Sequence, residues 1–115
     1  MKIKLAKADA EFAKLVKDRD EWTCRKCGRT KGQGYVIHCA HVFTRRARST
    51  RWDPTNAYSL CFLCHRWAHE WPMEFHAWAR AEMGAKVYDA LAKRARTPEK
   101  VSATLKRIEI REVRA

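Results

Sequence analysis

Two C-x-x-C pairs, Cys24-Arg-Lys-Cys27 and Cys61-Phe-Leu-Cys64, lie 33 residues apart, and nothing else in the chain narrows its fold as much. Four thiolates suit a tetrahedral Zn²⁺, and a closed Cys₄ site leaves no position for a substrate, so its role is structural. The free energy of metal binding then becomes free energy of folding. The chain has 115 residues, the length of a single domain, and domains of this size often replace part of a core with a metal. A redox C-x-x-C is the rival for either pair alone, but no thioredoxin-like βαβ pattern surrounds them. A second rival splits the ligands into two zinc sites, one of Cys24, Cys27, His38 and His41, the other of Cys61, Cys64, His65 and His69. Classical fingers need a helix to present the histidines, and the glycine-rich stretch from Gly28 to Ile37 offers none. Cys39 is left over and reads as a buried thiol outside the metal set.

The same central segment carries most of the charge. The whole chain has 25 Lys+Arg against 13 Asp+Glu, a net +12. Between Trp22 and His69 there is one acid, Asp53, against nine basic residues. A one-signed run of this kind points to a polyanion, with nucleic acid first. Hydrophobic residues at 46% exclude a disordered tail or low-complexity segment. No apolar run approaches the roughly 18–20 residues of a membrane span, and the start of the chain lacks a signal-peptide core. The expected setting is therefore cytoplasmic, with reduced thiols and no membrane partner.

One α+β domain spanning 1–115 is expected, in three segments. Residues 8–21 carry Phe12, Leu15, Val16 and then Trp22 at helical spacing. Residues 22–71 form a Cys/His-rich core in which Tyr35-Val-Ile-His38 reads as a strand. Residues 73–113 return to helical patterning, with Gly84 dividing Met73–Met83 from Ala85–Ala95. Thr97-Pro98-Glu99 is a helix start. Trp52, Trp67, Trp71 and Trp78 are expected mostly to pack in the core or between helices, although one near the basic surface could instead stack on an unpaired base, and His76 is expected to be structural.

Between the knuckles the order is His38-Cys-Ala-His41, then an arginine-rich stretch to Arg51, then Trp52-Asp-Pro-Thr-Asn56, and His65 follows the last cysteine. This His-Asn-His order, with the two knuckles, resembles the HNH nuclease superfamily and its zinc-braced ββα-metal (treble-clef) fold. Phe12-Ala-Lys-Leu-Val-Lys-Asp-Arg-Asp20, His38-Cys-Ala-His41 and Arg51-Trp-Asp-Pro-Thr-Asn56 narrow the likeness to the NinG/Rap family of phage recombination nucleases. The likeness runs from about Asp9 to Ala95. It departs from many HNH enzymes at Ala40, where a metal ligand often precedes the base, and from the narrower family at His65, which replaces an Asn.

The resemblance implies a metal-dependent endonuclease cutting DNA, with His41 as general base, Asn56 bracing the loop, and His65 in the catalytic set. It places a catalytic divalent ion, Mg²⁺ or Mn²⁺, on His38 and His65. His69, four residues on along the same helical face, is a further candidate ligand. Branched or flap-containing recombination intermediates are the implied substrates, recombination proteins the possible partners, and the host cytoplasm the setting of a phage-encoded chain. A histidine suits the base because its neutral form can take a proton near neutral pH. Arg45, Arg46, Arg48 and Arg51 are expected to grip phosphates without reading sequence. The competing classes are a non-catalytic zinc module that binds DNA, and a toxin-like or RNA-directed nuclease.

Overall fold

Ala8, Phe12 and Val16 recur every four residues and are all buried, which makes one apolar stripe on helix α1 (Lys2–Arg19). The computed structural model describes residues 2–97. α1 begins well before the expected residue 8, because Leu5 and the alanines around it extend the stripe and favour helix. Leu15, expected on the apolar face, is 37% exposed instead. The helix stops where Glu21 and Trp22 adopt left-handed backbone angles, φ 55° and 52°, turning the chain into the first knuckle. There Gly28, at φ 82°, closes the turn by donating its N–H to the Cys24 carbonyl at 2.9 Å. Such an angle is costly for any residue with a Cβ.

Strand β1 (Ile37–His41) pairs antiparallel with β2 (Ala57–Cys61), in the register Ile37 to Cys61 and His41 to Ala57. The strand therefore starts two residues later than Tyr35. Tyr35 is spent on the knuckle, where its N–H reaches the Thr30 carbonyl at 3.2 Å. Helices α2 (Phe62–Glu70), α3 (Pro72–Met83) and α4 (Ala85–Ala95) follow. The last two fall where the residue pattern placed them, with Gly84 at φ 90° as the joint. The expected helix start at Thr97-Pro98-Glu99 runs outside the described residues.

The molecule is α+β, a two-stranded sheet with helices on both faces. On one face α1 contributes Phe12 and Val16 to a cluster with Trp52 and Ala57. On the other, Leu60, Tyr58 and Ala40 pack with Ala68 of α2 and with Phe75 and Ala79 of α3. β2 is buried along its whole length. Trp67 and Trp78 lie against this second core, but Trp71 is 56% exposed, contrary to its expected core role. No described helix is long and apolar enough to cross a membrane.

Candidate functional site

The knuckle after α1 supplies Cys24 and Cys27, the end of β2 supplies Cys61, and the first turn of α2 supplies Cys64. Their four sulfurs lie within 4.8 Å of one another, and Cys27 Sγ is 3.6 Å from Cys61 Sγ. A tetrahedral zinc with bonds of about 2.3 Å needs sulfurs about 3.8 Å apart, so the set fits one structural zinc. The Cys27 backbone N–H points at Cys24 Sγ at 3.5 Å, and Arg29 Nη1 at Cys27 Sγ at 3.5 Å. Burial raises the Cys27 thiol, but hydrogen bonds from the Arg29 backbone and from the Cys24, Cys61 and Cys64 side chains outweigh it and draw the thiol down to about 7. The two-zinc partition is overturned, since one cluster uses all four cysteines. His38 and His41 also stand three residues apart on a strand, which puts them on opposite faces.

His38 faces α2, its ring centroid 4.9 Å from that of His65. One turn along α2, His69 Nε2 comes within 3.1 Å of His65 Nε2. Two imidazole nitrogens on one ion, each about 2.1 Å from it, are separated by about 3.0–3.4 Å. His65 and His69 thus have the spacing of two ligands of one cation. Among the described residues, however, the cysteines are the one group of three or more such side chains gathered closely enough to hold an ion, so His38 stands beside the pair and not within it. Burial first, and then the neighbouring His69, His38 and His41, push His65 down to about 4, leaving a neutral imidazole.

His41 ends β1 on the other face, against Phe12, and lines a cavity of about 440 Å³ together with His65, His69 and His76. Its Nε2 lies 2.8 Å from the Arg51 carbonyl. A carbonyl can only accept, so Nε2 carries the hydrogen and Nδ1 keeps its lone pair. Burial pushes the His41 pKa below the ordinary histidine value, because the charged imidazolium is the form that low polarity disfavours.

The loop supplying that carbonyl is tied down at several points. Asn56 is fully buried. Its Oδ1 accepts from Phe43 N at 2.7 Å, and its Nδ2 donates to the carbonyls of Phe43 and Thr50 at 2.8 and 3.0 Å. Asp9 of α1 takes Arg51 Nη2 and Nε at 2.6 and 3.0 Å, and Trp52 Nε1 at 2.9 Å. Burial raises the Asp9 pKa, but these hydrogen bonds outweigh it and hold the carboxylate below its usual range. At the far end Arg94 of α4 pairs with buried Asp53 and donates to the Ser49 carbonyl at 3.0 Å.

The four expected phosphate-gripping arginines therefore divide. Arg45, Arg46 and Arg48 are exposed, Arg45 only loosely paired with Asp9 at 3.4 Å. The Arg51 side chain is 18% exposed and held by Asp9. Cys39 faces α1, where burial pushes its thiol up to about 11. His76 Nδ1 lies 2.9 Å from the Tyr88 hydroxyl, joining α3 to α4.

No protein-family model matches the chain, and no curated protein or solved structure does. The geometry alone therefore speaks for function. It joins an imidazole able to accept a proton, a histidine pair spaced to share a cation, and a basic loop beside the cavity that both face.

Proposed function

We propose that this chain is a metal-dependent endonuclease of the HNH type, built on a zinc-braced ββα-metal core and cutting DNA with His41 as its general base. The observation that carries this reading is the orientation of His41. Its Nε2 donates to the Arg51 carbonyl at 2.8 Å, on a loop pinned by buried Asn56, and its ring lines one cavity with His65 and His69. In the reaction, a water oxygen bonds to phosphorus while His41 Nδ1 takes the water's proton, and the phosphorus–O3′ bond breaks. Burial keeps His41 neutral near neutral pH and so ready to act. Asn56, wholly enclosed, touches no substrate and serves as a positioning residue.

His65 and His69, with His38 alongside, would hold a divalent ion, which supplies charge neutralisation at the phosphate and the leaving oxygen. Asp9 is the one carboxylate among the described cavity-lining residues, and it is engaged by Arg51. A donor set of imidazoles suits Mn²⁺ and later transition ions better than Mg²⁺, which prefers oxygen. Arg45, Arg46 and Arg48 contact phosphates, and branched or flap DNA is the substrate that the NinG-like residue pattern favours.

The test is cleavage of labelled linear, flap and four-way DNA by wild type and His41→Ala, with and without Mn²⁺ or Mg²⁺. Wild type should cut and the variant should lose about 10²–10⁴-fold in rate with zinc content and DNA binding intact. No cutting by wild type with any divalent ion would leave a zinc-containing DNA-binding module, and equal cutting by the variant would assign the base elsewhere.

A further inference from the structure

Tyr35 and Val36 precede β1, and Phe62 and Leu63 open α2. The two stretches lie side by side, because Ile37 pairs with Cys61 and Phe62 N donates to the Val36 carbonyl at 3.2 Å. All four side chains face solvent: Tyr35 is 41% exposed, Val36 63%, Phe62 57% and Leu63 51%. A lone exposed apolar residue calls for no explanation, but a contiguous patch beside a candidate site does.

The patch has two neighbours that define what fits it. The Arg29 guanidinium sits over the Tyr35 ring, 5.3 Å from its centroid, and Arg66 follows Phe62 by one helical turn on α2. Phe62 also lies 6.3 Å, centroid to centroid, from the His38 ring, which itself stands 4.9 Å from His65. Aromatic faces with cations beside them are the components of a single-strand binding surface, where bases stack and phosphates meet the charges. A second copy of the chain is a poor occupant. Self-pairing would bring together two chains of net charge +12.

We propose that Tyr35, Val36, Phe62 and Leu63 form a stacking platform for an unpaired nucleic-acid strand next to the histidine cleft. This deepens the nuclease reading by assigning the site a strand that leaves the duplex there. Bases lie on the ring of Phe62 and on the Tyr35 face that Arg29 leaves open, and the Arg29 N–H groups not turned to Cys27 meet the adjoining phosphate. A continuous duplex, whose bases are stacked on one another, has no face to offer these rings.

The experiment is equilibrium binding of zinc-loaded full-length protein to a short labelled oligothymidylate and to a duplex, without divalent ion. The readout is independent of cleavage, so it stands apart from the test of His41. Phe62→Ser and Tyr35→Ser should each weaken single-strand binding roughly fivefold to a hundredfold and leave duplex binding within about twofold. Both residues are exposed, so zinc content and the far-ultraviolet spectrum should stay those of wild type. Phe62→Leu keeps the apolar bulk but removes the π face, and should fail like Phe62→Ser, whereas Phe62→Tyr should bind as wild type. Unchanged single-strand affinity in the serine variants, equal losses on strand and duplex, or wild-type binding by Phe62→Leu would overturn the proposal. So would a wild-type dimer that Phe62→Ser converts to monomer, since the patch would then be a self-association face.

Discussion

At the scale of single residues, His41 and Asp9 illustrate two ways of contributing to one site. A base acts in its deprotonated form, and burial places the His41 pKa below the ordinary 6.5. The logarithm of the cleavage rate should therefore rise with pH on a limb lying below 6.5 and be flat from neutrality upward. An acid limb centred above that value would assign the base elsewhere. Asp9 acts through Arg51, whose side chain it grips while the Arg51 carbonyl holds His41. Asp9→Asn should cost about 1–3 kcal/mol of stability, and it should shift the pH limb as His41 loses its fixed orientation. Unfolding by denaturant and the pH–rate profile check the two parts, and an unmoved limb would reduce Asp9 to a fastener. The four cysteines could be picked out from the chain because their chemistry is written in residue type and short spacing, and the His-Asn-His order marked His38, His41 and Asn56 as candidates. Asp9 could not, since its partner Arg51 is 42 residues away and an aspartate on a helix face carries no local sign of such a role.

Among the elements, the cysteine cluster brings together the knuckle after α1, β2 and α2, and loss of a zinc held there should be felt in all three. Cys64→Ser should release zinc and melt the sheet together with α2, whereas Cys39→Ser should be mild, as measured by zinc content and thermal unfolding. A Cys64→Ser protein that kept its zinc and melting temperature would refute the cluster. Asp20 makes a second joint just past α1, accepting from the Ser59 backbone N–H at 3.0 Å and pairing with Arg19 and Arg25. Burial raises its pKa, but the bonds from Arg19 and Ser59 prevail and hold it at about 2, below the ordinary 3.8. A depressed carboxylate stabilises the fold above its unfolded pKa, and that gain disappears as pH falls through the folded one. Asp20→Asn should thus cost about 2 kcal/mol or more near neutrality. The difference from wild type should shrink as pH drops from about 4 towards about 2, measured by denaturant titration at each pH. The helices α3 and α4 were readable from apolar spacing and one glycine. The start of β1 was not, because Tyr35 and Val36 have strand-like side chains but their backbone is committed to the knuckle.

At the scale of the whole molecule, the loop arginines divide into exposed ones and one engaged by α1. Reversing Arg45, Arg46 and Arg48 to glutamate should weaken every DNA substrate alike and lower the salt dependence by about 0.9 in slope per lost phosphate contact. Arg51→Glu should instead destabilise the fold, since it sets a second carboxylate against Asp9. Binding isotherms over a salt series, with unfolding curves alongside, separate these outcomes, and a loss confined to one DNA sequence would mean base readout. The net charge was plain from the residues, but its division into exposed arginines and the structural Arg51 was set by α1, which no property of the loop itself revealed.

The loop between β1 and β2 is moored to both ends of the described chain, to Asp9 of α1 and to Arg94 of α4. This has a consequence for the order of assembly on the ribosome. The zinc ligands are complete once Cys64 has emerged, so the metal core can close early. The basic loop cannot take its second mooring until a further 30 residues, up to Arg94, have been made. Any nascent chain halted before α4 would be a zinc-bound body whose arginine loop is anchored from one side only. The loop that holds His41 thus takes its second mooring only after α4 has been made, which separates closure of the cysteine cluster from completion of the loop.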